Sequence, residues 1–119
     1  MLGFNGQQDF YIYKEPTDMR KGYNGLSGIV RNELGEDPTS GSVYVFFNKT
    51  RKLVKMLVWD RDGYVIYGKR LERGTFEQFT KITKGKKQGI AYQHLVMLLS
   101  GISLLGIRHR PRYKMEKLG

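Results

Sequence analysis

Cysteine is missing from this 119-residue chain, so disulfides and thiolate metal sites are excluded and a cytoplasmic setting is the expectation. Acidic residues are scarce, 11 against 21 lysines and arginines, and tryptophan occurs once. No apolar run approaches the ~20 residues of a membrane helix. The opening MLGFNGQQDF lacks the charged and apolar regions of a secretory leader. No internal repeat is evident. Familiar catalytic patterns are absent too. Lys84-Gly85-Lys86-Lys87 lacks the Gly-x-x-x-x-Gly-Lys-Ser/Thr context of a phosphate-binding loop, and no serine sits in a nucleophile elbow. His94 and His109 stand far apart with no neighbouring ligand set. These absences predict a protein that is not an enzyme and holds no metal or cofactor.

What the chain has in excess is positive charge, a formal +10, unevenly placed. Residues 1–77 carry 12 lysines and arginines against 10 acids, whereas residues 78–119 carry 9 against 1. A polyanionic partner follows from that asymmetry, nucleic acid first and an acidic membrane or protein surface second. Solubility alone would also account for a basic tail.

The length suits one domain with its own core. At its centre Val43–Phe47, Leu53–Trp59 and Tyr64–Tyr67 are rich in β-branched and aromatic residues and are separated by turn formers, which is how strands and hairpins read. Asp9–Lys14 alternates well enough to be an earlier strand. Met19, Tyr23, Leu26, Val30 and Leu34 recur at helical spacing. Thr17 or Asp18 is placed to cap that helix, and Gly35 to end it. Ile90 or Ala91 followed by Leu95, Leu98, Leu99 and Ile102 predicts a second helix, closed by Gly101 or Gly106. The fold class expected is therefore α+β: an antiparallel β-meander of four to five strands with one helix before it and one after it. Residues 1–8 read as a flexible lead-in, 9–106 as the domain, and 107–119 as a basic extended tail. Lys81–Gly89 reads as an exposed connector.

Several groups of residues are candidates for function. Lys69, Arg70 and Arg73, then Lys81, Lys84, Lys86 and Lys87, then Arg108, Arg110, Arg112, Lys114 and Lys117 form three basic clusters able to neutralise phosphates. Tyr44, Phe46, Tyr64 and Tyr67 would stack on bases if their face were open, or fill the core if it is not. Gly22, Gly25 and Gly28 recur every third residue beside Arg20, Lys21, Asn24 and Arg31. They suit either close packing on a sheet or close approach to a phosphate backbone. Asp60, Asp62 and Glu72 are the acids that a metal-dependent nuclease would need, although turn chemistry already explains both aspartates.

Five motifs in order carry a resemblance. They are Thr17-Asp18-Met19-Arg20-Lys21-Gly22-Tyr23-Asn24-Gly25-Leu26, Asp37–Gly41 with Val43–Phe47, Val58-Trp59-Asp60 with Gly63, Lys69–Phe76, and Leu98-Leu99-Ser100-Gly101-Ile102. Across residues 9–113 the chain resembles the accessory protein, called TnpB or Orf2-like, of bacterial insertion sequences of the insertion sequence 66 family. It departs from that pattern at Ser100, where an acid is common, and in the lysine-rich connector. The resemblance implies a small protein that works beside a separate, larger transposase. It is distinct from the RNA-guided nuclease that shares the TnpB name, which is far longer.

Two functions fit these residues. In the first, the protein binds DNA at the element's ends or on the transposase–DNA complex through Arg20, Lys21, Lys69, Arg70 and Arg73, with the connector and tail adding sequence-independent affinity. In the second, Asp18, Arg20 and Trp59 form an exposed patch that docks the transposase. Basic clusters on one continuous face would mark the first. Exposed aromatics with fewer charges would mark the second.

Overall fold

The computed structural model describes residues 4–78 and 84–101. They form β1 (Phe10–Tyr13), α1 (Tyr23–Asn32), β2 (Val43–Phe47), β3 (Leu53–Asp60), β4 (Gly63–Arg70), β5 (Lys87–Ile90) and α2 (Tyr92–Ser100). The five strands make one sheet in the order β4-β3-β2-β1-β5. The α+β class and the meander β2-β3-β4 are as expected, with both hairpins antiparallel. The sheet is nonetheless mixed. β1 pairs parallel with β2, in the register Phe10↔Val43. Parallel neighbours need a long crossover, and α1 supplies it.

Burial of the two sheet faces explains why the central strands are apolar on both sides. Val43, Val45, Phe47, Val54, Met56 and Val58 face α2, whose Leu95, Leu98 and Leu99 close that core. Tyr44, Phe46 and Leu57 face α1, which contributes Leu26 and Val30. Five consecutive buried residues in β2 therefore serve two cores, one on each side. Fully burying a residue such as Leu26 or Leu57 contributes about 1.5–3 kcal/mol each. Phe4, in the segment read as a lead-in, is buried edge-on against Tyr67.

Three local readings change. The first helix begins at Tyr23 rather than near Met19, with Gly22 at its N-cap and no side-chain cap. Asp18 is occupied elsewhere, accepting from the Arg20 backbone and guanidinium. Thr17 is buried, with its N–H donated to the Phe47 carbonyl. The helix does end through Gly35, at φ 65°, with the Glu36 N–H returning to the Val30 carbonyl. Part of the connector is strand: Lys87–Ile90 pairs antiparallel with β1. Gly101, at φ 88°, closes α2. Residues 79–83, and with them the first part of the connector, lie outside the described residues, as does the chain from 102 onward.

Candidate nucleic-acid interface

The topology decides which loops meet. β1 and β2 end at Tyr13 and Phe47, and the registers Phe47↔Val54, Leu53↔Arg70 and Tyr13↔Lys87 bring the start of β3, the end of β4 and the start of β5 to the same edge. Backbone bonds tie the loops there: Thr17 N–H to Phe47 O, Leu71 N–H to Lys52 O, Phe76 N–H to Arg51 O, and Lys14 N–H to Lys86 O. This edge is a rim built from three connections, β1–α1, β2–β3 and β4–β5. It carries Lys14, Arg20, Lys21, Lys49, Arg51, Lys52, Arg70, Arg73, Lys84 and Lys86 against Glu15, Asp18, Glu72 and Glu77, with Glu33 reaching Lys86 from the end of α1. At the opposite edge the loops carry Asp9, Asp37, Asp60 and Asp62, with Arg61 in the hairpin and Arg31 of α1 near Asp37 as cations. The sheet thus has a basic end and an acidic end.

The rim is held by backbone-directed cations. Arg51 sits at φ 58° in the β2–β3 turn, its guanidinium donating to the Phe76 and Glu77 carbonyls and lying 4.2 Å from the Phe47 ring centre. Asn48 accepts from the Lys52 and Leu53 N–H groups through its side chain. Lys52 reaches the Gly74 carbonyl at 3.2 Å. From β3, the Lys55 ammonium donates to the Met19 and Lys21 carbonyls, which fixes the segment leading into α1. These contacts preset the geometry of the loops that bear the charge.

The expected site residues divide by what holds them. Arg20 and Lys21 stand exposed on the rim. Arg20 grips Asp18 at 2.7 Å with both side chains largely in solvent. That grip is the first cause holding the Asp18 carboxyl down to about 2. Arg70 pairs with Glu72 at 3.1 Å, and Arg73 is exposed beside it. Lys69 turns to the other face of β4 and donates to the Leu99 carbonyl at the end of α2, where the helix dipole favours a cation. Lys84 is exposed on the rim. Lys86 bridges Glu15 and Glu33, and Lys87 pairs with Glu36 over the Tyr11 ring. Hydrogen bonding to those carboxylates raises both ammonium pKa values. Nearby, burial first and the Glu15 hydrogen bond second push the Tyr13 phenol up to about 12. Lys81, Arg108, Arg110, Arg112, Lys114 and Lys117 lie outside the described residues.

Other candidates are separated. Trp59 stands edge-on to Tyr64 near the acidic end, about 13 Å along β3 from Lys55 and so away from Asp18 and Arg20. Asp62 and Glu72 lie beyond opposite ends of β4, too far apart to share a metal ion, and no acid or histidine cluster suited to one occurs among the described residues. Tyr44 and Phe46 are fully buried and closed to base stacking. Sequence reasoning missed Lys14, Lys49, Arg51 and Lys52. Their charge was visible, but only the strand order shows that their loops join the same rim.

A small mixed-sheet α+β protein with a basic rim and, among the described residues, no acid or histidine cluster suited to a metal is the class these features define. The chain belongs to the family of the IS66 Orf2 like protein, whose model matches residues 8–109. That family is one of insertion-sequence accessory proteins rather than a known enzyme class, and membership associates the chain with transposition. The uncharacterized protein y4jC of Sinorhizobium fredii (strain NBRC 101917 / NGR234) is 27% identical over 118 residues, covering 99% of both chains. The uncharacterized protein y4hO of the same strain is 35% identical over 86 residues, 72% of this chain and 73% of that one. No solved structure matches significantly. Among the described residues no helix is long and apolar enough to cross a membrane.

Proposed function

We propose that the protein assists transposition by binding duplex DNA across the basic rim, at the element's ends or on the transposase–DNA complex. One observation supports this reading: cations from three separate connections, β1–α1, β2–β3 and β4–β5, converge on one edge of the sheet while the loops of the other edge are mainly acidic. A solubilising charge has no reason to segregate in that way. The rim residues are Arg20, Lys21, Lys49, Lys52, Arg73 and Lys84, with Arg70 adding charge shared with Glu72. Lys86 and Lys87 serve chiefly to hold β5 against the loop after α1. Lys81 and the arginines and lysines of the tail add sequence-independent affinity.

The test is binding of the purified full chain to labelled duplexes bearing the element's terminal repeats, and to scrambled duplexes, across a salt series without transposase. Reversing Lys49, Lys52 and Arg73 to Glu removes about three phosphate contacts, so the log-log salt slope shrinks by about 2.7 and affinity near physiological salt falls at least ~100-fold. An unchanged slope would remove the rim from the account. A second reading is favoured by Tyr23, 53% exposed beside Arg20 and Lys21: the rim docks an acidic surface of the transposase. Tight transposase binding that DNA does not displace, with no DNA binding alone, would select it.

A further inference from the structure

The two free edges of the sheet are unlike. β5 has four residues, contains Gly89, and begins at a lysine drawn into an ion pair, which blunts it against pairing. β4 has eight residues, Gly63–Arg70, and no strand covers its outer edge among the described residues. Tyr64, Val65, Ile66 and Tyr67 in it are only half-buried, and neither proline nor charge interrupts them. A long, apolar, uncovered edge is a template for another strand.

We propose that this edge joins two copies of the chain, β4 to β4 antiparallel, into a ten-stranded sheet. The register follows from the hairpin. Asp60↔Gly63 closes a two-residue turn, and such a closing pair exchanges hydrogen bonds. Odd-numbered residues of β4 therefore bond to β3, and the Leu71 N–H, which reaches the Lys52 carbonyl, continues that alternation. Tyr64, Ile66, Gly68 and Arg70 direct their backbone groups outward. A two-fold axis perpendicular to the sheet keeps like faces together, so the paired residue numbers have an even sum. With Ile66 on the axis, Tyr64 stands opposite Gly68 of the second copy and Val65 opposite its Tyr67.

Charge fixes the choice of register. Asp62 then lies opposite Arg70 of the second copy, twice over, and the acidic hairpin tip meets the basic end of the neighbouring strand. Arg70 holds Glu72 through Nε and Nη2, which leaves guanidinium donors for Asp62. The glycine opposite Tyr64 gives that ring room to lie across the seam. Apart from Arg70, which the seam engages, both basic rims remain open in this dimer and point in opposite directions, so each is free to hold its own duplex.

The measurement is sedimentation velocity on the full chain from low-micromolar to sub-millimolar concentration. The expected result is a concentration-dependent shift from 13.8 kDa to twice that mass. Gly68→Pro, which deletes an outward donor at a position where an added Cβ meets only the Val54 carbonyl at 3.8 Å, should abolish the shift while circular dichroism stays native. Asp62→Arg should weaken dimerisation ~10-fold by setting like charges opposite each other at two places. Combining it with Arg70→Asp should restore it, and because both positions are exposed this pair decides the matter even if the proline variant fails to fold. A monomer at every concentration overturns the proposal. So does a dimer that is indifferent to Asp62→Arg, or one that the double exchange fails to restore.

Discussion

Arg51 shows how one side chain can hold a rim. Its backbone lies at φ 58°, a conformation that costs a residue with a Cβ about 1–2 kcal/mol. Its guanidinium offsets that by tying the β2–β3 turn to the carbonyls of Phe76 and Glu77, and bonds from a charged donor contribute about 1.5–3 kcal/mol each at most. Two substitutions separate the effects. Arg51→Ala loses the tie and keeps the strained backbone, whereas Arg51→Gly loses the tie and relieves the strain. The glycine variant should therefore be more stable than the alanine variant by about 1 kcal/mol, with both below the parent. Urea denaturation measures this. Equal stabilities would mean that the turn relaxes to another conformation in both.

At the scale of elements, β5 depends on its partners more than on its own sequence. Lys87-Gln88-Gly89-Ile90 has little intrinsic strand preference, and it is extended because β1 presents a free edge and because Lys86 and Lys87 reach the carboxylates of Glu33 and Glu36. Both lysine pKa values are raised, so the lysine contribution to this latch is present in full below the ordinary lysine range and is lost as pH rises through the raised values. Glu36→Gln should speed amide exchange in β5 by up to about fivefold at neutral pH, since a partly exposed pair contributes at most ~1 kcal/mol. Exchange unaltered by the substitution would show that backbone pairing alone holds the strand.

The same comparison shows what was legible in the sequence. The meander was, because Val43–Phe47 and Leu53–Trp59 carry their propensity within themselves, and so was the core stripe of Leu26 and Val30 in α1 with Leu34 just past its end. β5 was not, for the reason just given. The start of α1 was not, because its anchoring comes from Lys55, 34 residues away in sequence from Lys21, while Asp18, the apparent cap, turns to Arg20. The parallel pairing of β1 with β2 was hidden as well, since alternation along a strand does not record the direction of its neighbour. The rim was only half visible. Its arginines and lysines could be counted, but Lys49 and Lys52 join Arg20 and Arg73 only once strand order places their loops together.

For the whole molecule the segregation of charge makes a prediction that tests the DNA-binding reading from the far side. β4 spans about 26 Å, so in a single copy of the chain, at concentrations too low for pairing, Asp9 and Asp60 at the acidic edge cannot touch a duplex lying across the rim. They can act on it only through the field. At ~0.01 M ionic strength the Debye length is about 30 Å and that field reaches the rim, whereas at ~0.15 M it is about 8 Å and does not. Replacing Asp9 and Asp60 together with Asn should therefore tighten DNA binding about threefold at low salt, the sum of several weak repulsions of ~0.2 kcal/mol each. Near physiological salt the variant and the parent should bind alike. A variant that binds tighter by the same factor at both salts would place the duplex against the acidic edge and overturn the rim as its site. A variant that binds no tighter at either salt would mean that the duplex extends away from the sheet, held end-on by the loops rather than laid across them.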